Sequence, residues 1–411
     1  MYLRLLRENR DFRLLYLGAL ISLGGDWFLA VALLDLVLEL TGSATLASLM
    51  LLCSTLPIFF TTPVAGHVVD KSDRRKVMIA VDLLRAVACL LPLLARSPAM
   101  LPFAYLGVIL ISVGSAYFEP AMHAALPNIV KPEELGAANV LMGSTWGTML
   151  AVGSALGGLV TASLGRDASF LVDSASFLLS AFFLWRMRGR FAQDLSEDHE
   201  HPTFFKALRE TFAYAKAHPR VLGLLTCKGG YGTGGGVIAL VSIYGREVFH
   251  AGAWGIGLLY AARGLGALTG PFLVRGIIRS ENRQYRAIAG CMLLFGIGYT
   301  ALALSGSLVL GMIAIFVAHL GGGASWQIST YGLQRETPDR LRGRVFAADY
   351  GFLTLTMALS SLGAGVLADA IGPYPATIGI ASLTILFALA WGTWTWKLWR
   401  EQNSDVAVGQ P

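Results

Sequence analysis

The chain has 411 residues, 55% of them hydrophobic and 14% charged, at a mean hydropathy of +0.60. That excess of apolar character excludes a water-soluble globule of this length and points to a chain whose outside faces lipid. The net charge of +6 comes from short bursts of Lys and Arg between apolar runs, which is a topology signal and implies no nucleic-acid partner.

The basic start, Arg4, Arg7, Arg10 and Arg13, leads into an apolar run at 14–38. The run is too long for the core of a signal peptide and lacks a small-residue cleavage pattern, so it is expected to stay as a membrane helix. At 1.5 Å per residue, Asp26 lies about 18 Å along it, close to the bilayer centre. Asp35 and Glu39 fall toward its far end and are expected to be hydrated. The second span, 45–68, runs into Gly66-His-Val-Val-Asp70-Lys71-Ser-Asp73-Arg74-Arg75-Lys76. Physically this is a glycine that permits close helix approach, then a helix end with one acid and several bases. Such an acid can sit near a neighbouring helix terminus or pair with a base, and so lock helix ends together in one conformation.

The third span, 77–96, carries Asp82 and Arg85 one turn apart and near the same end. They are expected to join the network of Asp70 and Arg74 rather than bind substrate. Glu119, ending the fourth span at 101–121, could join them. The fifth span, 139–162, presents Gly153, Gly157 and Gly158, a face that lets helices approach closely. The sixth, 167–187, holds Asp173, which has no assigned role.

A polar stretch, 188–220, follows, and Thr203 to His218 within it reads as an amphipathic helix, with Phe204, Phe205, Leu208, Phe212 and Tyr214 at helical intervals. Six further spans are expected at 221–243, 253–274, 286–305, 308–331, 344–368 and 374–396, with a short tail at 397–411. Lys228 lies about 10 Å into the seventh span and Arg263 about 15 Å into the eighth. The glycine run at 229–236 has no Lys-Ser/Thr after it, so it is read as helix flexibility in a gate and not as a phosphate cradle. In the tenth span His319 reads as a hydrogen-bonded packing histidine, and Trp326 as a possible wall of an apolar cavity. Asp349, in the eleventh, is unassigned. Cys53, Cys89, Cys227 and Cys291 share no close spacing and read as small buried hydrophobes. No metal cluster, nucleotide motif, nucleophile triad or cofactor site stands out, so the chain is not expected to be an enzyme.

The halves repeat one another. Lys131–Leu135 aligns with Thr337–Leu341, Leu156-Gly157 with Leu362-Gly363 and Trp185 with Trp391 at one offset, and a one-residue slip brings Gly165 onto Gly372. The expected architecture is therefore an all-α membrane protein of about twelve transmembrane helices in two pseudo-symmetric six-helix bundles, 1–187 and 221–396. Basic residues crowd the loops on one side, and the other side has little more than Arg96, Arg166 and Arg246. Both termini are then expected in the cytoplasm, with the chain in the inner cell membrane.

The segment Gly66–Lys76 resembles the signature loop of the major facilitator superfamily, Gly-x-x-x-Asp-Arg/Lys-x-Gly-Arg/Lys-Arg/Lys. Gly66, Asp70, Lys71, Arg74 and Arg75 match it, and Asp73 replaces its second glycine. Gly25-Asp26, Asp82-Leu-Leu-Arg85, Pro120-Ala121, Leu126-Pro127, Ala138-Asn139, Pro338-Asp339 and Gly343-Arg344 resemble the branch that contains the enterobactin exporter and macrolide efflux pumps. The fifth-helix pattern of the superfamily's antiporters departs here, with Ser154 in place of proline and Met149 in place of the first glycine.

The resemblance implies a monomeric secondary transporter that exports an amphipathic small molecule by alternating access, with protons and membrane lipid as its other partners. It also implies that the first and seventh helices line a central cavity. An ionisable group at mid-bilayer costs roughly 2.5–3.5 kcal/mol, so Asp26, Lys228 and Arg263 each need a reason. One reading makes Asp26 a proton carrier tuned by Lys228 or Arg263, and the other makes them a permanent ion pair. Two alternatives to export are a lysolipid translocator of the same fold and a membrane receptor or assembly partner that does not transport.

Overall fold

The computed structural model describes residues 2–188, 204–274 and 281–408, and among them every regular element is helical. The short helix α1 (Tyr2–Glu8) precedes α2 (Arg10–Thr41), whose first turn is capped by the Asn9 side chain, which accepts from the Phe12 amide at 2.9 Å. α2 stops at Gly42, in the left-handed region at φ 61°, and Ser43 caps the next helix, α3 (Ala44–Lys71). Asp73 opens α4 (Arg74–Ala88), its carboxylate accepting from the amides of Arg75 and Lys76. The residue that departs from the signature pattern is thus a helix cap. Two single turns lead into α5 (Leu101–Ile129), and α6 (Leu135–Leu164) and α7 (Arg166–Arg186) follow.

Residues 189–203 of the expected linker lie outside the described residues. The amphipathic segment after them is helical, as α8 (Phe204–Ala217), and Tyr214 donates to the Glu336 carbonyl at 3.3 Å. α9 (Pro219–Gly235) and α10 (Val237–Ile243) run in series and are followed by a π-turn over Tyr244–Val248. Then come α11 (Gly252–Leu273), α12 (Glu281–Ala303), α13 (Leu308–Glu336), α14 (Asp339–Ile371) and α15 (Pro373–Val408). The last helix continues through most of the stretch read as a tail.

Among the described residues, eleven helices are long and apolar enough to cross a membrane. The expected twelfth, at 221–243, is divided between α9 and α10 at Gly236, so neither piece reaches spanning length alone. The break is satisfied locally, because the Thr233 carbonyl accepts from the Gly236 amide and from the Ser360 hydroxyl. The duplication reappears in the joints between the last two spans of each half. Gly165 between α6 and α7 has φ 85° and ψ 165°, and Gly372 between α14 and α15 has φ 90° and ψ 159°. Only glycine adopts that region without strain.

Large apolar side chains such as Phe60, Leu164, Trp185, Phe272 and Leu304 are exposed along the spans. That pattern would aggregate in water and is stable in hydrocarbon, where every backbone group is already paired inside its helix. Contacts divide the chain into two compact units, Met1–His199 with Val241–Gly264, and Glu200–Leu240 with Leu265–Pro411. The far part of the seventh span and the first half of the eighth thus group with the first unit, a departure from the division at 188–220. The first unit has an apolar core built on Phe12, Leu15, Met78, Phe118 and Leu126, and the second a core built on Leu224, Ile288, Met292, Ile328 and Trp391.

Candidate functional site

In the first unit the signature loop ties helix ends together through carbonyl groups. Buried Arg74 donates to the Ala124 carbonyl at 2.7 Å, near the end of α5, and Arg75 donates to the Trp185 carbonyl at the end of α7. The Trp185 carbonyl lies in the last turn of α7, where carbonyls lack partners within their own helix and carry the negative end of its dipole, so the Arg75 guanidinium is both a donor and a complementary charge there. Asn9 acts similarly on the Ile129 carbonyl at 2.6 Å. The Asp70 side chain lies outside the described residues. At Gly66 a methyl group would meet nothing within 4 Å among the described residues.

Asp82 and Arg85 sit deeper. About 16 Å of helix separates Arg85 from Arg74, so the pair belongs to a buried cluster and not to the loop. Arg85 Nη1 lies 3.4 Å from Asp82 Oδ1, with both side chains almost fully buried. The guanidinium carbon is 4.9 Å from the Phe118 ring centre and 5.1 Å from that of Phe177, so two aromatic faces help replace its water. Gly114 makes room for it, since an added methyl would come within 3.0 Å of Arg85 Cγ and Nε.

Asp26 lies at the midpoint of α2 and is half-buried. The charged groups whose fields reach it are Arg85 and Glu119, and among the described residues it forms no ion pair. Glu119 is itself exposed, 3.7 Å from His123. Fully buried Asp173 is held by the Cys89 thiol, which donates at 3.0 Å, and by the Ser176 hydroxyl at 3.1 Å. Gly25 leaves the space that its carboxylate and Ser176 occupy. Among the described residues, Asp82 pairs with the Arg85 guanidinium, and Asp26 and Asp173 are carboxylates within reach of its field.

At the opposite end of the first unit, Arg246 in the π-turn pairs with Asp35 and, at 3.0 Å, with Glu39, which also meets Arg166 at 2.7 Å. Asp35 is buried and not hydrated as expected, because Arg246 covers it. Glycines bring the backbones together beneath these pairs. A methyl on Gly157 would lie 2.8 Å from Phe28 Cα on α2, and one on Gly153 3.1 Å from the Gly24 carbonyl. Gly158 faces the other way, where a methyl would lie 2.9 Å from Gly257 Cα on α11. Nearly two turns farther along α11, Arg263 lies over the rings of Tyr260 and Trp146, at 5.7 and 6.0 Å.

In the second unit Lys228 is 1% exposed, and its Nζ is 3.5 Å from Asp349 Oδ2 and 3.6 Å from the centre of the Trp326 ring. The sequence reading sought a partner for Lys228 in Asp26; the structure gives it one on α14. Tyr299 and His319 share a hydrogen bond at 2.9 Å, and the imidazole packs edge-on to Phe295, so His319 does act as a bonded packing histidine. The glycine run on α9 also differs from expectation. Methyls on Gly230, Gly232 and Gly234 would collide with Phe387, Thr356 and Phe295, so these glycines seat α9 against α15, α14 and α12.

The residues that sequence reasoning missed are Asp349, Asp173 with Cys89, and Arg246 as the partner of Asp35. Each charge was visible as a polar interruption of an apolar run, but each partner lies on another helix.

The sequence matches the transmembrane secretion effector family over residues 6–408. The chain belongs to this family of the major facilitator superfamily. This secretion-effector chain is thus a multi-pass membrane transporter and not an enzyme. It is 27% identical over 405 residues to the MFS-type transporter YfiS of Bacillus subtilis (strain 168), covering 94% of this chain and 93% of that one. The multidrug efflux pump Tap of Mycolicibacterium fortuitum is 28% identical, covering 91% and 92%, and macrolide efflux protein A of Streptococcus pyogenes is 24% identical, covering 88% and 90%. Among solved structures, a POT family transporter in complex with a thioalcohol-conjugated peptide superposes with a TM-score of 0.75 at 11% identity, over 94% of this chain and 96% of that one. A bacterial homolog of the human lysosomal transporter Spinster gives 0.72 at 16%, with the same two coverages. Those two likenesses concern the fold alone.

Proposed function

We propose that this transporter exports an amphipathic small molecule in exchange for protons, by alternating access, from an inner cell membrane in which both termini face the cytoplasm. Efflux proteins among its relatives support the direction. The excess of Lys and Arg in the loops on one side supports the orientation.

The observation that carries the proton role is the charge balance around Asp26. Asp82 already occupies the Arg85 guanidinium at 3.4 Å, Asp173 is held by a thiol and a hydroxyl, and Asp26 is left half-open at mid-helix without an ion pair among the described residues. A single buried cation cannot neutralise three carboxylates in a low-dielectric interior, so the set exchanges protons more readily than a closed ion pair would. Asp26 is the member positioned to do so, with Arg85 as its tuning charge.

The test is transport in reconstituted vesicles under an imposed pH gradient, with a macrolide and a panel of amphipathic aromatic acids and amines as trial substrates. Asp26→Asn is expected to lower gradient-driven transport at least tenfold while leaving downhill exchange of substrate within about twofold. Full gradient-driven transport by Asp26→Asn would remove the proton role.

A further inference from the structure

The pair Lys228–Asp349 is loose and incompletely bonded. At 3.5 Å it is longer than the 2.7–2.9 Å of a charge-assisted hydrogen bond, and neither Lys228 Nζ nor Asp349 Oδ1 has a hydrogen-bond partner. An ammonium carries three N–H donors. One side of this one is covered by the Trp326 ring at 3.6 Å, a contact that accepts no conventional hydrogen bond. Buried polar groups are ordinarily satisfied, and a half-bonded charge pair is less stable than either a closed pair or an apolar replacement. Trp326 itself is 43% exposed, so the pair lies behind an aromatic ring that is open on its far side.

We propose that Lys228, Asp349 and Trp326 form the subsite for the acidic group of the substrate, and that the transported class is an amphipathic organic acid with a planar apolar portion. The carboxylate of the ligand takes the place of Asp349 on Lys228 Nζ, and its apolar ring stacks on Trp326. Lys228 supplies the charge and unused donors, Asp349 holds that charge when the site is empty, and Trp326 supplies the flat surface. This assignment rests on the export reading, which it deepens by naming the chemistry of the cargo. It lies wholly within the second unit and does not involve Asp26.

The experiment is equilibrium binding to the purified full-length protein in detergent, with 1-naphthylacetic acid as probe against 1-naphthylethylamine, a cation of similar ring and size. The wild-type protein is expected to bind the acid at least tenfold tighter than the amine. Asp349→Asn, which removes the competing carboxylate, should tighten acid binding severalfold. The neutral pair Lys228→Gln with Asp349→Asn, which leaves no buried charge and so protects the fold, should abolish the preference for the acid. Trp326→Leu should weaken the acid severalfold and leave the melting temperature nearly unchanged. The binding assay needs no proton gradient and reads only Lys228, Asp349 and Trp326, so a failed proton assay and a failed binding assay are separate results. Equal binding of acid and amine by the wild type, or an acid preference that survives in the neutral pair, would overturn the assignment.

Discussion

Arg85 is held in a way that a lysine could not reproduce. Its guanidinium meets Asp82 and lies over the rings of Phe118 and Phe177, and Gly114 leaves the space it needs. Arg85→Ala leaves Asp82 as an uncompensated buried charge, a change that typically costs about 3–5 kcal/mol. A clear fall in the thermal midpoint of the detergent-solubilised protein is the expected result. Replacing both members, with Asp82→Leu and Arg85→Met, should restore much of the loss, because no charge then remains buried. An unchanged midpoint in Arg85→Ala would mean that the pair contributes little to the fold. The sequence placed Asp82 and Arg85 one turn apart, which is a local relation. Their shared environment with Asp26 and Asp173 involves three helices, and no spacing along the chain encodes it.

At the scale of the element, two glycines that look equally motif-bound are physically opposite. A methyl on Gly158 would come within 2.9 Å of the Ala253 carbonyl and of Gly257 Cα, and neither backbone can rotate out of the way. Gly158→Ala is therefore expected to destabilise the protein by about 1–3 kcal/mol. Gly66 has no neighbour within 4 Å of an added methyl among the described residues, so Gly66→Ala should be neutral or stabilise α3 by up to about 1 kcal/mol, since alanine loses less backbone entropy in a helix. Thermal midpoints of the two variants in one detergent separate the cases, and equal losses would contradict the packing argument. The helices themselves were legible because each is a long apolar run between polar stops, such as Gly42-Ser43 or Asp73. The break at Gly236 was harder to read, because its stability comes from Ser360, far away in sequence.

For the whole molecule, a question is what holds Val241–Gly264 in the first unit. The polar tie is Arg246, which pairs with Asp35 and Glu39 on α2, while Gly158 and Gly257 set the backbone contact alongside. A double-mutant cycle with Asp35→Asn and Arg246→Gln should give a coupling energy of about 0.5–3 kcal/mol, read from thermal midpoints. The Arg246→Gln single variant should lose more than the double, because it leaves Asp35 buried and unpaired. Strict additivity would show that the contact carries no stability.

The sequence alone determined that this protein lives in a membrane, crosses it about a dozen times, repeats itself once and belongs with the facilitators. The first three follow from composition, from the length of apolar runs and from the alignment of the two halves, and the last from the motif at Gly66–Lys76 and the family match. Only the tertiary structure decided that Lys228 answers to Asp349, that Asp35 is covered by Arg246 and that Asp173 is held by Cys89 and Ser176. The reason is that a buried charge is stabilised by whichever group the helix packing brings within a few ångströms, and between helices that distance is unrelated to separation in sequence.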